Sequence, residues 1–154
     1  MKGQQEILDQ LNALLSEELT AINQYILHGE MCGDWGYEKL HDIIEKRAIQ
    51  EMKHAEKLIE RILFLEGRPI VSELNKISIG DTVLKQFEND HLAEQEAIDM
   101  YNKSVALATK LGDNGTKMLL ESILTDEEAH IDMIESQLSM VEQMGLENYL
   151  NLQV

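Results

Sequence analysis

The chain repeats one pattern of acidic and histidine residues after an interval of 76 positions. In each half a lone glutamate is followed 33 residues later by the motif Glu-x-x-His. The residues are Glu18, Glu51 and His54 in the first half, and Glu94, Glu127 and His130 in the second. Glutamate and histidine at positions i and i+3 lie on one face of an α-helix, about one turn apart, so both side chains can reach one ion. The repeat therefore predicts two similar helical hairpins that bring their polar residues together.

The motif Glu-x-x-His is a weak signal by itself in this chain, because four of its five histidines have glutamate three residues earlier. His41 and His91 also fit the motif, but the positions 76 residues away from them hold Lys117 and Leu15. Only the pairs that end at His54 and His130 have counterparts. The two halves also share a tyrosine, at Tyr25 and Tyr101.

Apolar residues recur every three or four positions in four long segments, a pattern that predicts four amphipathic helices. All six candidate ligands and Tyr25 lie on these apolar stripes, where surface glutamates would not lie. Glycine-containing breaks at 33–36, 67–69, 112–115 and 145 predict the ends of the helices.

The connection between the second and third predicted helices differs from the other two. Residues 70–80 carry no helical stripe, so we expect a crossover that runs the length of the bundle, with Asp81 capping the third helix. Two hairpins joined by one crossover form the ferritin-like arrangement. The sequence therefore predicts an all-α protein, a single ferritin-like domain over residues 1–154. It is a four-helix bundle with a long crossover between helices two and three and a short C-terminal fifth helix within Leu146–Val154.

Charge and composition exclude several classes of function. A formal net charge of −16 argues against nucleic acid as a partner, because binding to phosphates needs basic patches. Cys32 is the single cysteine, so no internal disulfide is expected. No apolar run reaches membrane-spanning length and the first residues do not resemble a signal peptide, so we expect a cytoplasmic protein with no membrane partner.

Four carboxylates buried on apolar stripes predict a metal centre. Burying an unpaired carboxylate costs several kcal/mol, and two histidines cannot neutralise four such groups, whereas two divalent cations can. Oxygen and nitrogen ligands of this kind suit iron or manganese. In this interpretation Glu18 and Glu94 are terminal ligands, Glu51 and Glu127 bridge the two ions, and His54 and His130 each supply one nitrogen. The alternatives are a network of protonated core glutamates, or helices rotated so that these side chains face water.

Other polar residues near the predicted centre receive auxiliary roles. Asp126 and Gln50 are related by the same offset, and we expect Asp126 to orient His54 and Gln50 to orient His130. Tyr25 faces the site, where it either hydrogen-bonds a ligand or supplies an electron; the alternative is that it fills core volume. His91 is either an additional ligand or a core histidine with its own partner, whereas His28 and His41 lie off the stripes and are expected in solvent.

A second apolar surface lies on the outer face of the first two helices, opposite the candidate ligands. Met52 points about 130° away from the mean direction of Glu51 and His54 on a helical wheel. The patch comprises Met52, Ile49 and Ile59 on the second helix and Leu19, Asn23 and Ile26 on the first. Such a patch indicates an interface, and ordinary packing of two copies around a flexible methionine is sufficient to explain it.

Several segments resemble the bacterioferritin family: 19–25, 34–36, 51–67, 126–132 and 145–149. The resemblance runs over nearly the whole chain, and the block 51–67 is its most specific part. It implies a homo-oligomeric cage of twenty-four subunits built from dimers, in which an intrasubunit di-iron centre oxidises Fe²⁺ with O₂ or H₂O₂ and the product is stored as a ferric mineral. It also implies haem b bound between paired subunits with Met52 as the axial ligand, and a ferredoxin as electron donor. This would make the protein a ferroxidase whose six matched positions bind iron.

Some positions depart from the family pattern. Lys46, Arg47 and Gln50 replace a more acidic or histidine-bearing surface of some members, so an extra inner-surface iron site is not expected here. Met133 replaces an aromatic residue that some members carry near the di-iron centre. Two other functions remain open from the residues alone. One is a di-iron peroxidase or oxygenase in a smaller oligomer, resembling rubrerythrin-like proteins, and the other is a helical assembly protein whose core carboxylates bind no metal.

Overall fold

The computed structural model describes residues 1–154 and consists of five helices with no strands. Four are long: α1 (Gln5–Asp34), α2 (Glu38–Phe64), α3 (Val83–Lys110) and α4 (Asn114–Met144). The fifth, α5 (Leu146–Asn151), is short and follows Gly145, whose φ of +83° lets the chain turn. The predicted all-α fold, four long helices followed by a short fifth, is confirmed. None of the five helices combines the length and the apolar composition that a membrane span needs.

The long helices form two antiparallel hairpins, α1 with α2 and α3 with α4, and the hairpins pack with α1 against α3 and α2 against α4. Apolar side chains form one cluster on each side of the layer of candidate ligands. One cluster includes Leu11, Leu58 and Leu120, and the other includes Ile44 and Ile134. The six polar side chains thus lie midway along the bundle, with packed apolar layers above and below.

The segment between α2 and α3, residues 65–82, runs along α1 rather than folding on its own. Side chains of α1 accept hydrogen bonds from its backbone N–H groups in order along both chains. The pairs are Ile70 with Asn12 (2.9 Å), Asn75 with Thr20 (2.8 Å), Ser78 with Gln24 (3.1 Å) and Gly80 with His28 (3.0 Å). The predicted crossover along the bundle is therefore present, and α1 supplies the acceptors that an isolated extended segment lacks.

The predicted boundaries hold with local differences. The N-cap of α3 is Thr82, whose hydroxyl accepts a hydrogen bond from the backbone N–H of Lys85 (3.2 Å), so the prediction that Asp81 caps this helix was wrong by one residue. Asp113 caps α4 by accepting from the N–H of Thr116 (3.0 Å). Residues 114 and 115, predicted to lie in the break before α4, consequently belong to its first turn.

A buried ionic network lies next to the candidate ligands. Asp90 accepts hydrogen bonds from Arg47 Nη2 (2.6 Å), Gln24 Nε2 (2.9 Å) and His28 Nδ1 (2.8 Å). The N–H of Gly80 donates to His28 Nε2, so the ring proton of that histidine must be on Nδ1. Burial raises the pKa of Asp90, but Arg47 and His28 outweigh it and hold that pKa below its usual value.

This network corrects two expectations. His28 has no exposed surface, although its position off the apolar stripe predicted a solvated side chain. Arg47 is only 3% exposed, so this departure from the family pattern is buried within the bundle, whereas the comparison with the family had placed it on a surface.

Candidate metal centre

The structure brings all six candidate ligands together at the centre of the bundle. Each long helix contributes to the group: Glu18 from α1, Glu51 and His54 from α2, Glu94 from α3, and Glu127 and His130 from α4. None of the six exposes more than 6% of its surface. They lie together because every one occupies the buried stripe of its helix, and because the two hairpins pack with their Glu-x-x-His motifs at the same depth.

The six side chains form two overlapping groups of four. Within each group one ligand atom from every residue lies within 4.8 Å of the others. The first group is Glu18, Glu51, His54 and Glu127, and the second is Glu51, Glu94, Glu127 and His130. Since Glu51 and Glu127 belong to both groups, they occupy the positions that bridging ligands need. The other four residues each belong to one group, as terminal ligands do.

Both imidazoles turn the same nitrogen toward the carboxylates. His54 Nδ1 lies 2.8 Å from Glu127 Oε1 and 3.0 Å from Glu51 Oε2. His130 Nδ1 lies 2.8 Å from Glu51 Oε1 and 3.5 Å from Glu94 Oε1. Each ring therefore offers Nδ1 to its group and leaves Nε2 to face outward.

Four buried atoms of the centre have no hydrogen-bond partner: Glu51 Oε1, Glu94 Oε2, Glu127 Oε1 and His130 Nδ1. Glu51 Oε1 and His130 Nδ1 are 2.8 Å apart, yet they are not oriented as a hydrogen bond. A buried polar atom without a partner costs about 1–3 kcal/mol. Carboxylate oxygens and imidazole nitrogens that point to a shared location rather than at one another suit a divalent metal ion with oxygen and nitrogen ligands, such as iron or manganese.

The outward nitrogens make the two hydrogen bonds that the sequence predicted. His54 Nε2 lies 2.9 Å from Asp126 Oδ2, and His130 Nε2 lies 2.6 Å from Gln50 Oε1. These two contacts are confirmed. Because a carboxylate or amide oxygen is an acceptor, each ring donates from Nε2 and can keep the lone pair of Nδ1 for a metal ion.

Two buried tyrosines hold the terminal glutamates. The hydroxyl of Tyr25 donates to Glu94 Oε1 (2.6 Å), and that of Tyr101 donates to Glu18 Oε1. Burial, together with the adjacent carboxylate in each case, raises the pKa of both phenols well above its usual value, so they stay protonated as donors. Only Tyr25 was predicted to act at the centre, although Tyr101 is its counterpart at the offset of 76 residues and lies on the stripe of its own helix.

Protons accumulate at the metal-free centre. Burial raises the pKa of Glu18 and Glu94 well above its usual value, and for Glu18 the charges of Glu51 and Glu127 raise it further. Burial lowers the pKa of the imidazoles, but the nearby carboxylates of Glu127 and Glu51 outweigh this effect and raise the pKa of His130 to about 12. The pKa of His54 rises in the same way through Glu127, Glu18 and Glu51.

Metal binding is therefore expected to release protons. The two imidazoles hold an extra proton at neutral pH, and the raised pKa values of Glu18 and Glu94 favour their protonated forms. A cation needs the bare lone pairs, so the apparent affinity should increase as pH rises. Each proton displaced should tighten binding about tenfold per pH unit. Anaerobic titration with Co²⁺ between pH 6 and 8, with a pH indicator in weak buffer, measures both effects. Glu18→Gln should release fewer protons than the parent, and a titration without proton release would contradict this prediction.

The remaining candidates lie outside both ligand groups. His91 is half-buried and its Nε2 lies 2.9 Å from the exposed Glu135, so it has a surface partner. His41 is partly covered, with its Nε2 3.2 Å from Glu30. Cys32 donates from its buried thiol to Gln86 Oε1 (3.2 Å), and burial raises the pKa of that thiol to about 11.

The outer face of α1 and α2 carries an apolar groove of about 240 Å³, which we call the outer groove. Its lining residues are Ile22, Ile26, Gly29, Glu30, His41, Glu45, Ala48, Ile49 and Met52. Of the residues predicted for the haem site, Met52, Ile49 and Ile26 lie in this groove and are 43–51% exposed. Leu19 and Ile59 are half-buried against the core beside it. Asn23 is exposed on α1 and donates to the backbone of Leu19 (2.8 Å).

Two hairpins, one crossover and two overlapping carboxylate–histidine groups define a helical protein of the ferritin-like class. The sequence model of a protein family, described as the ferritin-like domain, matches residues 8–144 of the chain.

Relatives that align with 97% of the chain identify the family within this class. The chain is 41% identical over 149 residues to proteins named bacterioferritin from Mycolicibacterium paratuberculosis and Brucella melitensis, covering 97% of this chain and 94% and 92% of theirs. It is 38% identical to the bacterioferritin of Rhodobacter capsulatus over the same share of the chain. The chain belongs to the bacterioferritin family.

Proposed function

We propose that this protein stores iron and oxidises it during storage. In this proposal the centre takes Fe²⁺ as substrate, uses O₂ or H₂O₂ as oxidant, and passes Fe³⁺ to a mineral inside a cage of twenty-four copies built from dimers. The observation that carries the proposal is the pair of overlapping ligand groups that share Glu51 and Glu127, with four buried ligand atoms lacking any partner. Membership of the bacterioferritin family supports iron storage as the role of this site.

A site for two adjacent ions suits a two-electron oxidant. Two iron(II) ions bound together supply two electrons, which with two protons convert hydrogen peroxide to two waters, or dioxygen to hydrogen peroxide, leaving two iron(III) ions. Glu51 and Glu127 are the residues that hold the two ions at a fixed separation. Glu18 and Glu94 complete one ion each and are kept in position by the phenols of the tyrosines.

Tyr25 has two roles in this proposal. Its hydroxyl orients Glu94, and the phenol is placed to supply one electron to the oxidant when a centre holds too little iron(II). Its proton would pass to Glu94, which lies 2.6 Å away. The ring is 1% exposed, which shields the phenoxyl radical that remains from solvent.

The outer groove is the proposed haem site. Its volume of about 240 Å³ is below the roughly 300 Å³ at which small-molecule pockets begin. In this proposal one chain therefore supplies part of the site and a second copy completes it. Ile26 and Ile49 offer apolar contact to a porphyrin, and the thioether of Met52 is a suitable axial ligand for haem iron. The porphyrin ring would be bordered by Leu19, Asn23 and Ile59.

Haem b would supply an electron-transfer group in this groove. A ferredoxin is the proposed donor of the electrons that reduce the stored mineral. The cytoplasm is the proposed compartment.

Iron loading followed by size-exclusion chromatography tests the whole proposal. Metal-free protein is given Fe²⁺ with either O₂ or H₂O₂, and the eluted particles are assayed for mass, iron and haem. The expected result is a very large particle that retains iron well beyond two ions per chain. A dimer that consumes peroxide without retaining iron would instead establish the peroxidase alternative, and a bundle that binds no iron would exclude metal chemistry.

A further inference from the structure

The duplicated centre is symmetric in its ligands but not in the groups behind them. Positions 50 and 126 are related by the offset of 76 residues, and each accepts a hydrogen bond from the outward nitrogen of one histidine. Behind His54 this acceptor is the carboxylate of Asp126, whereas behind His130 it is the neutral amide of Gln50. One half of the centre therefore has a full negative charge where the other has a dipole.

This difference acts directly on the ligand strength of the two imidazoles. Each ring faces its group through Nδ1 and donates from Nε2, so the acceptor at Nε2 controls how much electron density Nδ1 offers. A carboxylate acceptor makes the imidazole a better donor to a cation and stabilises the bound charge, while an amide does this weakly. His54 is thus the stronger of the two nitrogen ligands.

A second asymmetry acts on the opposite half. The guanidinium of Arg47 stacks on the ring of Tyr25, with its carbon 4.2 Å from the ring centroid, and Tyr25 donates to Glu94. Arg47 is paired with Asp90, but the positive member of the pair is the one that covers Tyr25, and its Nε and Nη1 have no partner.

No charge occupies the corresponding place in the other half. The position 76 residues after Arg47 is Ile123, and the position 76 residues before Asp90 is Leu14, so Tyr101 and Glu18 have apolar neighbours there. The guanidinium of Arg47 lies over the phenol that is hydrogen-bonded to Glu94, and Asp90 offsets part of its charge. The remaining positive potential on this side disfavours a cation at Glu94 relative to Glu18, because charges interact strongly where water is excluded.

We propose that the two halves of the centre bind divalent cations with unequal affinity, and that the half built on Glu18 and His54 fills before the half built on Glu94 and His130. The inference rests on the proposed function, because it requires that both halves bind metal. Loss of an outer partner of a metal-binding histidine costs 10–100-fold in affinity, so replacing a carboxylate by an amide should separate the two sites by about tenfold.

Cobalt(II) distinguishes the two halves without any turnover. Crystals of the metal-free protein are equilibrated with one Co²⁺ per chain, and anomalous diffraction at the cobalt edge locates the ion. The expected result is a peak between Glu18 and His54 several-fold higher than the peak between Glu94 and His130. Anaerobic titration in solution should show two binding steps about tenfold apart. Equal peaks with a single step for two ions would overturn the inference and leave the proposed function standing, whereas absence of both peaks would overturn both.

Two isosteric substitutions separate charge from geometry. Asp126→Asn keeps an acceptor at the same place but removes its charge, and should weaken the first step about tenfold. Gln50→Glu adds a charge behind His130 and should strengthen the second step by a similar factor. The double variant should reverse the order of filling, so that the higher cobalt peak moves to the half built on Glu94 and His130.

The matched control is Glu128→Gln, which changes the net charge by the same amount as Asp126→Asn. Glu128 is exposed and is the residue between the ligand Glu127 and Ala129. The control should leave the ratio of the two affinities unchanged. Because this ratio is measured within each variant, a uniform loss of stability does not affect it. If Glu128→Gln changed the ratio as much as Asp126→Asn, general surface charge would explain the inequality and the proposed role of the two outer partners would be wrong.

Discussion

Glu127→Ala is expected to abolish rapid iron oxidation. Glu127 belongs to both ligand groups, so its loss removes one ligand from each ion at once. Loss of an outer partner alone costs 10–100-fold in metal affinity, and loss of a shared ligand should lower the initial oxidation rate by more than about 100-fold. Stopped-flow absorbance after mixing metal-free protein with two Fe²⁺ per chain and oxidant measures this rate, and anaerobic Co²⁺ titration measures the binding that precedes it.

The control variant is Glu128→Ala, which removes the adjacent exposed carboxylate and should oxidise iron at the parental rate. Folding provides a second check. Glu127 is 2% exposed and lies 2.8 Å from His54 Nδ1, so its removal should lower the melting temperature of the metal-free protein. Circular dichroism at the assay temperature should show that the variant is still folded, so that slow oxidation reports a lost ligand. A Glu127→Ala protein that binds two Co²⁺ with parental affinity would place the metal centre elsewhere in the bundle.

Met52→Ala is expected to weaken haem binding at least tenfold while leaving iron oxidation intact. Met52 is 45% exposed in the outer groove and points away from the ligand groups, so its truncation should change the stability of the chain by no more than about 0.5 kcal/mol. Without the thioether no sulfur ligand remains in the groove. Haem titration into the apoprotein, followed by the Soret absorbance, should show one haem for each pair of parental chains and at least tenfold weaker retention by the variant.

Met118→Ala is the matched control, because Met118 is also an exposed methionine, at 70%, but lies outside the groove. It should bind haem as the parent does. Retention of a full Soret band by Met52→Ala, with unchanged stoichiometry, would show that another group holds the haem or that it binds on another face. Unchanged iron oxidation in the same sample would keep this result separate from the fate of the di-metal centre.

The central part of the structure was predictable from the sequence because its signals are periodic. Each candidate ligand sits on the apolar stripe of its own helix, and a constant offset between Glu18 and Glu94 requires that the two hairpins align. The same reasoning predicted the contacts of Asp126 and Gln50, since a residue just before a bridging glutamate faces the neighbouring helix. The offset had already paired Tyr101 with Tyr25, so giving both tyrosines the same role would have placed Tyr101 at the centre as well.

Features that depend on contacts between distant segments escaped prediction. His28 lies off the stripe of α1, yet it is buried, because the crossover covers that side of the helix and the N–H of Gly80 meets its ring. Periodicity within one helix carries no information about a segment that arrives from elsewhere in the chain. Arg47 is a similar case, because a charged residue on an apolar stripe becomes understandable only when Asp90 of α3 is found opposite it.

The hydrogen bonds between the crossover and α1 help to set the register between the two hairpins. Apolar contacts alone would allow two packed hairpins to slip by one helical turn, about 5.4 Å. The crossover prevents such a slip, because its N–H groups meet side chains at fixed intervals along α1 before the chain enters α3. The hydrogen bonds to α1 thus help to fix the axial position of the second hairpin relative to the first. They keep Glu94 and His130 level with Glu18 and His54 even where the two halves differ in sequence.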